Sequence, residues 1–143
     1  MTGWLVGHPD YKDLWACSSI WNGVLDMAYM VTSTDIPDWI YACCKKEDLE
    51  DYSKYNFADT RIFFEKSPIS QVRNVKTPTM VIVGHEDKRV PPHQSYFYHN
   101  CLKSMKVPTK LYNYPAGHGL FQCEEAVHDA YINIALWFDE HAN

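Results

Sequence analysis

The stretch Met80-Val81-Ile82-Val83-Gly84-His85-Glu86-Asp87-Lys88-Arg89-Val90-Pro91 decides the fold. Its apolar run reads as a strand, Thr79–Val83, introduced by Thr77-Pro78. Gly84 permits a tight exit, and Val90-Pro91 closes the following loop against the next helix. Pro91 and Pro92 open that helix, from about His93 to Met105, with Tyr96, Phe97 and Leu102 on its inner side. Val107-Pro108 ends it, and Thr109–Tyr114 is the next strand. Tyr114-Pro115-Ala116-Gly117-His118-Gly119-Leu120 leaves that strand. A final helix runs from about Glu124 to His141, with Val127, Tyr131, Ile134, Ala135 and Phe138 at helical spacing.

Upstream, Met1, Leu5 and His8 have helical spacing, but no N-cap residue precedes them, so the helix looks cut rather than begun. Pro9-Asp10-Tyr11 breaks it. Leu14–Ile20 is short and apolar, as a buried strand is, and Trp21-Asn22-Gly23 reads as the loop at its C-terminal end. Residues 24–66 read as an irregular helical insert. Within it Ser33, Thr34 and Asp35 can cap a helix through Trp39, Ile40 and Tyr41, with Pro37 near its first turn. Lys45 to Tyr55 is polar and reads as exposed, and Ser67-Pro68-Ile69-Ser70 as a turn. Helices alternating with strands imply right-handed crossovers and a parallel α/β sheet of about three strands flanked by helices. The first strand is expected to leave an open edge.

With 143 residues, 46% of them apolar, the chain is expected to form one domain with a core. A net charge of −5 without a basic cluster argues against nucleic acid and against anionic membrane surfaces. No stretch approaches the ~18 apolar residues of a membrane span, and the N-terminus lacks the pattern of a signal peptide. The five cysteines include no Cys-x-x-Cys, which reads as reduced thiols in a cytoplasmic protein. Cys101 and Cys123 are expected to be buried. His85, His93, His99 and His128 have no recognised zinc spacing, and His85-Glu86 lacks the second His of His-Glu-x-x-His. No metal and no cofactor is expected.

The chemistry concentrates at Asp87 and His118. Taken singly, Asp87 is an ordinary loop carboxylate beside Lys88 and Arg89, and His118 an ordinary loop histidine. Together they leave the C-terminal ends of successive parallel strands, where open α/β sheets place their sites. An acid, then a His, is the order in which hydrolases of this architecture deliver a triad, behind a Ser on Gly-x-Ser-x-Gly. These residues hold no Gly-x-Ser-x-Gly. Cys17, Ser18 and Ser19 are weak substitutes, since none sits on a tight Gly-flanked turn. Arg89 is a candidate for binding substrate or bracing the acid loop. Trp21 and Asn22 are candidates for lining a substrate pocket.

Gly84-x-x-Asp87-x-x-Val90-Pro91 followed by Tyr114-Pro115 and His118 resembles the C-terminal end of the prolyl oligopeptidase family of serine peptidases, within it the acylaminoacyl-peptidase group. Ser33-Thr34-Asp35-Ile36-Pro37-Asp38-Trp39, Ser67-Pro68-Ile69, Val75-Lys76-Thr77-Pro78 and Ala135-Leu136-Trp137-Phe138 carry the resemblance along essentially the whole chain. It implies that residues 1–143 form the C-terminal portion of an α/β-hydrolase catalytic domain, incomplete at its N-terminal edge. It implies Asp87 as triad acid and His118 as general base, with the Ser just ahead of Met1 and Met1–His8 as the body of the nucleophile's helix. The implied substrate is an N-acylated peptide, bound once the missing part completes the site. The chain alone is then expected to be inactive and to self-associate through its open sheet edge. The alternative is a non-catalytic remnant that binds peptides or a partner. One departure stands out: only Ala116 and Gly117 separate Tyr114-Pro115 from His118, where the family usually has three residues.

Overall fold

The computed structural model describes residues 1–45, 51–119 and 123–142. Among them three strands, β1 (Ser18–Trp21), β2 (Thr79–Gly84) and β3 (Thr109–Tyr114), form a parallel sheet in the order β1-β2-β3. The register pairs Ile20 with Val81 and Val81 with Leu111. Every residue of β2 is buried, which is why its sequence is a continuous apolar run rather than an alternating one. Met80, Val81, Ile82 and Val83 are at most 1% exposed, and full burial of each side chain contributes roughly 1.5–3 kcal/mol.

The helices are α1 (Thr2–Leu5), α2 (Met27–Met30), α3 (Pro37–Lys45), α4 (Phe57–Glu65), α5 (His93–Ser104) and α6 (Glu124–His141). On one face of the sheet, Ile20 packs with Val6, Leu25, Tyr98 and Leu102. On the other, Met80, Ile82 and Tyr114 pack against Ala126, Ala130 and Trp137 of α6. A third cluster joins Met30, Ile40, Tyr41 and Phe63 of the helical insert to Val90 of the acid loop. The insert is thereby fixed to the loop that carries Asp87. No helix among the described residues is long and apolar enough to cross a membrane.

Strands β2 and β3 and helix α6 fall where the sequence places them. The first strand does not: it begins at Ser18 rather than Leu14, and it includes Trp21, expected in the loop. Ser18 N donates to Pro78 O at 2.8 Å, and Pro78, having no N–H, cannot extend the ladder further back. Leu14 is 69% exposed despite its apolar neighbours. Of the three residues expected to cap α3, Thr34 and Asp35 take different partners. Thr34 Oγ1 accepts from Ile36 N at 3.2 Å, while Asp35 turns away to Arg89.

Two helix faces are rotated from expectation. In α5 the buried side carries Gln94, Ser95, Tyr98 and Leu102, while Phe97 is exposed. Gln94 goes inside because its Oε1 accepts from Leu25 N and Asp26 N at 2.7 and 2.9 Å, satisfying donors at the start of α2. In α6 the sheet meets Ala126, Ala130 and Trp137, leaving Tyr131, Ala135 and Phe138 exposed. The alanines allow a close helix–sheet approach, and Trp137 Nε1 donates to Ser18 O at 3.0 Å. All five cysteines are unbridged, and Cys101 and Cys123 are half-buried rather than buried. Of the polar stretch Lys45–Tyr55, positions 46–50 lie outside the described residues; Asp51 to Lys54 are exposed.

Candidate functional site

The site is assembled where all the strands end. Gly84 closes β2 against the loop after β3, and a Cβ there would collide with the carbonyl oxygens of Ala116 and Gly117. This close approach lets the two loops bond directly: His85 N donates to Tyr114 O at 3.0 Å and Glu86 N to Ala116 O at 3.1 Å. The chain then turns, with Asp87 N donating to Gly84 O at 3.2 Å.

Asp87 is thus pointed inward, with a fully buried side chain, beside His118, whose side chain is 50% exposed. Its Oδ1 accepts from Arg89 N and Val90 N at 2.8 and 2.9 Å. Its Oδ2 accepts from His118 Nδ1 at 2.8 Å. An ionised carboxylate only accepts, so the contact requires the proton on Nδ1 and leaves Nε2 of the neutral ring as its basic nitrogen. The shortened loop therefore still brings His118 to the acid.

Arg89 braces the acid loop. Its Nε and Nη2 donate to Asp35 Oδ1 and Oδ2 at 2.8 and 3.2 Å. The paired guanidinium holds the Asp35 carboxyl below its ordinary range, and Asp35 in turn raises Arg89. Thr34 Oγ1 donates to Arg89 O at 2.7 Å and Asp35 N to Lys88 O at 3.2 Å, tying the insert to the loop again. Arg89 also lines a cavity of about 770 Å3, together with His118, Asn22, Trp4, Met27 and Trp39. The candidate roles of bracing and substrate contact are therefore both geometrically open to it.

Asn22 and Trp21 part company. Asn22 reaches the cavity, whereas Trp21 lies on the α6 side, its ring edge-to-face with Tyr131 at 5.5 Å. The weak nucleophile candidates Cys17, Ser18 and Ser19 sit at the opposite end of β1 from this site. Burial pushes the Cys17 thiol up, away from the thiolate a nucleophile needs. Trp4 and Met27 as cavity walls carry no sequence signal, because residues so distant in the chain show no common pattern until they fold. The dipeptide Asn22-Gly23 did carry a turn signature, and Asn22 has φ 42°, in the left-handed region that Asn tolerates.

The model of the prolyl oligopeptidase family matches residues 1–143. The acylamino-acid-releasing enzyme of Rattus norvegicus is 36% identical over 140 residues, covering 96% of this chain and 18% of its own length. This chain thus spans a fifth or less of the length of these curated relatives. Among solved structures, the uncomplexed acylaminoacyl peptidase of Pyrococcus horikoshii superposes with TM-score 0.77 at 21% identity, over 96% of this chain and 21% of that one. An acylaminoacyl peptidase in complex with Z-Gly-Gly-Phe-chloromethyl ketone superposes with TM-score 0.78 at 20% identity, over 97% and 21%. These likenesses establish the fold as a portion of an α/β-hydrolase fold. With a family match along its whole length, the chain belongs to the prolyl oligopeptidase family.

Proposed function

We propose that residues 1–143 are one partial catalytic domain that carries the acid and base of a serine-peptidase triad. The observation that carries this reading is the 2.8 Å contact between buried Asp87 and half-exposed His118, which lines an apolar-walled cavity. Asp87 holds the ring in the Nδ1–H tautomer and stabilises the imidazolium. His118 Nε2 removes the proton from a Ser hydroxyl as it attacks an acyl carbon, then returns it to the leaving amine. The Ser belongs to a segment ahead of Met1, since residues 1–143 contain no Gly-x-Ser-x-Gly. The substrate class is an N-acylated peptide, with an apolar side chain in the cavity and Arg89 at its wall. The five unbridged thiols support a cytoplasmic setting. The chain alone is inactive, and it associates through the edge of β1, next to which Leu14 and Trp15 are exposed.

Reading the coding sequence upstream of Met1 tests this. An in-frame Gly-x-Ser-x-Gly would support it, and an in-frame stop directly ahead of Met1 would overturn it. The purified chain is expected to leave an acetyl-amino-acid anilide intact; turnover would refute the missing nucleophile. The lack of that Ser motif also favours a second reading, a peptide- or partner-binding module. Turnover that disappears in His118→Ala would sink that one.

A further inference from the structure

We infer that Asn22 is a positioning residue for the base, holding His118 through its backbone while Asp87 holds its ring. The inference rests on the acid–base reading of Asp87 and His118, and it gives Asn22 a part other than lining the cavity. Asn22 is the first residue after β1, 6% exposed. Its Nδ2 donates to His118 O, and its Oδ1 accepts from Gly84 N at 2.8 Å. Its own N donates to Ile82 O at 2.9 Å. One side-chain amide thus joins the exits of β1, β2 and β3.

The need for such a clamp follows from the exposure of His118. A ring that is half in solvent, between Gly117 and Gly119, gains little orientation from side-chain packing. A hydrogen bond to its Nδ1 orients the ring only if the backbone that carries it is already placed. The amide fits this task chemically: His118 O requires a donor and Gly84 N an acceptor, and Asn offers one of each in a single plane. Asp offers only the acceptor. The positive φ at Asn22 aims the side chain across the strand ends, a conformation Asn and Gly accept more readily than other residues.

Histidine tautomers read this directly. In chain labelled with 15N-histidine and held where the rings are neutral, long-range 1H–15N correlation separates Nδ1–H from Nε2–H rings. His118 is assigned by the signal missing from His118→Gln. The wild type is expected to show His118 as Nδ1–H. Asn22→Asp keeps the acceptor for Gly84 N and tolerates the backbone, and is expected to convert His118 to mainly Nε2–H. Asn22→Gly keeps the φ and is expected to do the same. The other six histidines report whether each variant remains folded. If both variants keep His118 as Nδ1–H, this inference is overturned while the acid–base pair stands. If His118 is already Nε2–H in the wild type, the pair itself fails, and the clamp with it. A measurement without substitution guards against variants that do not fold. The Asn22 side-chain NH2 protons of the wild type are expected to exchange with solvent at least tenfold more slowly than a free amide; free-amide exchange would overturn the inference.

Discussion

The loop that carries Asp87 and the loop that carries His118 meet through a single side-chain pair and two backbone hydrogen bonds but are built in opposite ways. The acid loop is braced from inside and outside. The Asp87 carboxylate gathers Arg89 N and Val90 N, Val90 is buried in the core of the insert, and Thr34 and Asp35 hold Lys88 and Arg89 from across the groove. The His loop has a turn bond from Ala116 N to Tyr114 O, the approach of Gly84, and the Asn22 amide. Its functional side chain stands half in solvent. Asp87 is a structural residue to which we also assign the role of acid, whereas His118, the base of that proposal, has far fewer structural ties. Catalytic geometry of this kind needs a fixed acid and a base with room to accept and return a proton.

That contrast can be broken most easily at Asp87. Asp87→Ala strands two backbone donors, that of Val90 buried and that of Arg89 partly so, and is expected to lower unfolding stability by about 3 kcal/mol in urea titrations. Gly84→Ala forces a Cβ onto the Ala116 and Gly117 carbonyls, moving the His loop, and is expected to cost about 2 kcal/mol. His118→Ala removes one bond at a half-exposed ring and is expected to cost about 1 kcal/mol. If His118→Ala proved as costly as Asp87→Ala, the two loops would be equally structural and the contrast would be wrong.

The smallest effect is expected at the outer brace. Asp35→Asn removes an exposed ion pair whose worth is mostly screened, so its urea midpoint at neutral pH should move little, and less still in high salt. The pH dependence has a definite sign. Arg89 depresses the folded-state Asp35 value below the ordinary 3.8. The pair's contribution is therefore present above that ordinary value and disappears as pH falls through the lowered one. The wild type and Asp35→Asn should converge in stability below that range. A difference that grew toward acid would show that Asp35 is not held by Arg89.

Much of this was legible in the chain because strong local signals agreed with the fold. Thr79–Val83 between Thr77-Pro78 and Gly84, and Thr109–Tyr114 between Val107-Pro108 and Pro115, could be placed from punctuation and apolar content alone. Leu14 and Trp15 misled for the same reason: they are apolar, but the proline at 78 denies them a partner strand. The buried faces of α5 and α6 differ from their most apolar faces because hydrophobicity is not the only determinant of burial. The sheet selected small alanines for close approach, and a buried Gln94 for the backbone donors of the insert. For the site, the motifs drew attention to Asp87 and His118, which the structure brings together, while the bond from Asn22 to His118 joins residues 96 positions apart and leaves no local trace.

By itself, the sequence determined the alternation of strands and helices, the order of Asp87 and then His118 on successive strand exits, and the absence of a Gly-x-Ser-x-Gly within residues 1–143. Those features depend on residues close together in the chain, where propensity, chain breaks and motif spacing act directly. Tertiary structure alone decided that Asp87 is buried and His118 open, that Arg89 spends its fork on Asp35, and that Asn22 spans the strand ends. Parallel strands place their exits side by side only through register across the sheet. That register is fixed by the packing of both faces at once, which no single segment encodes.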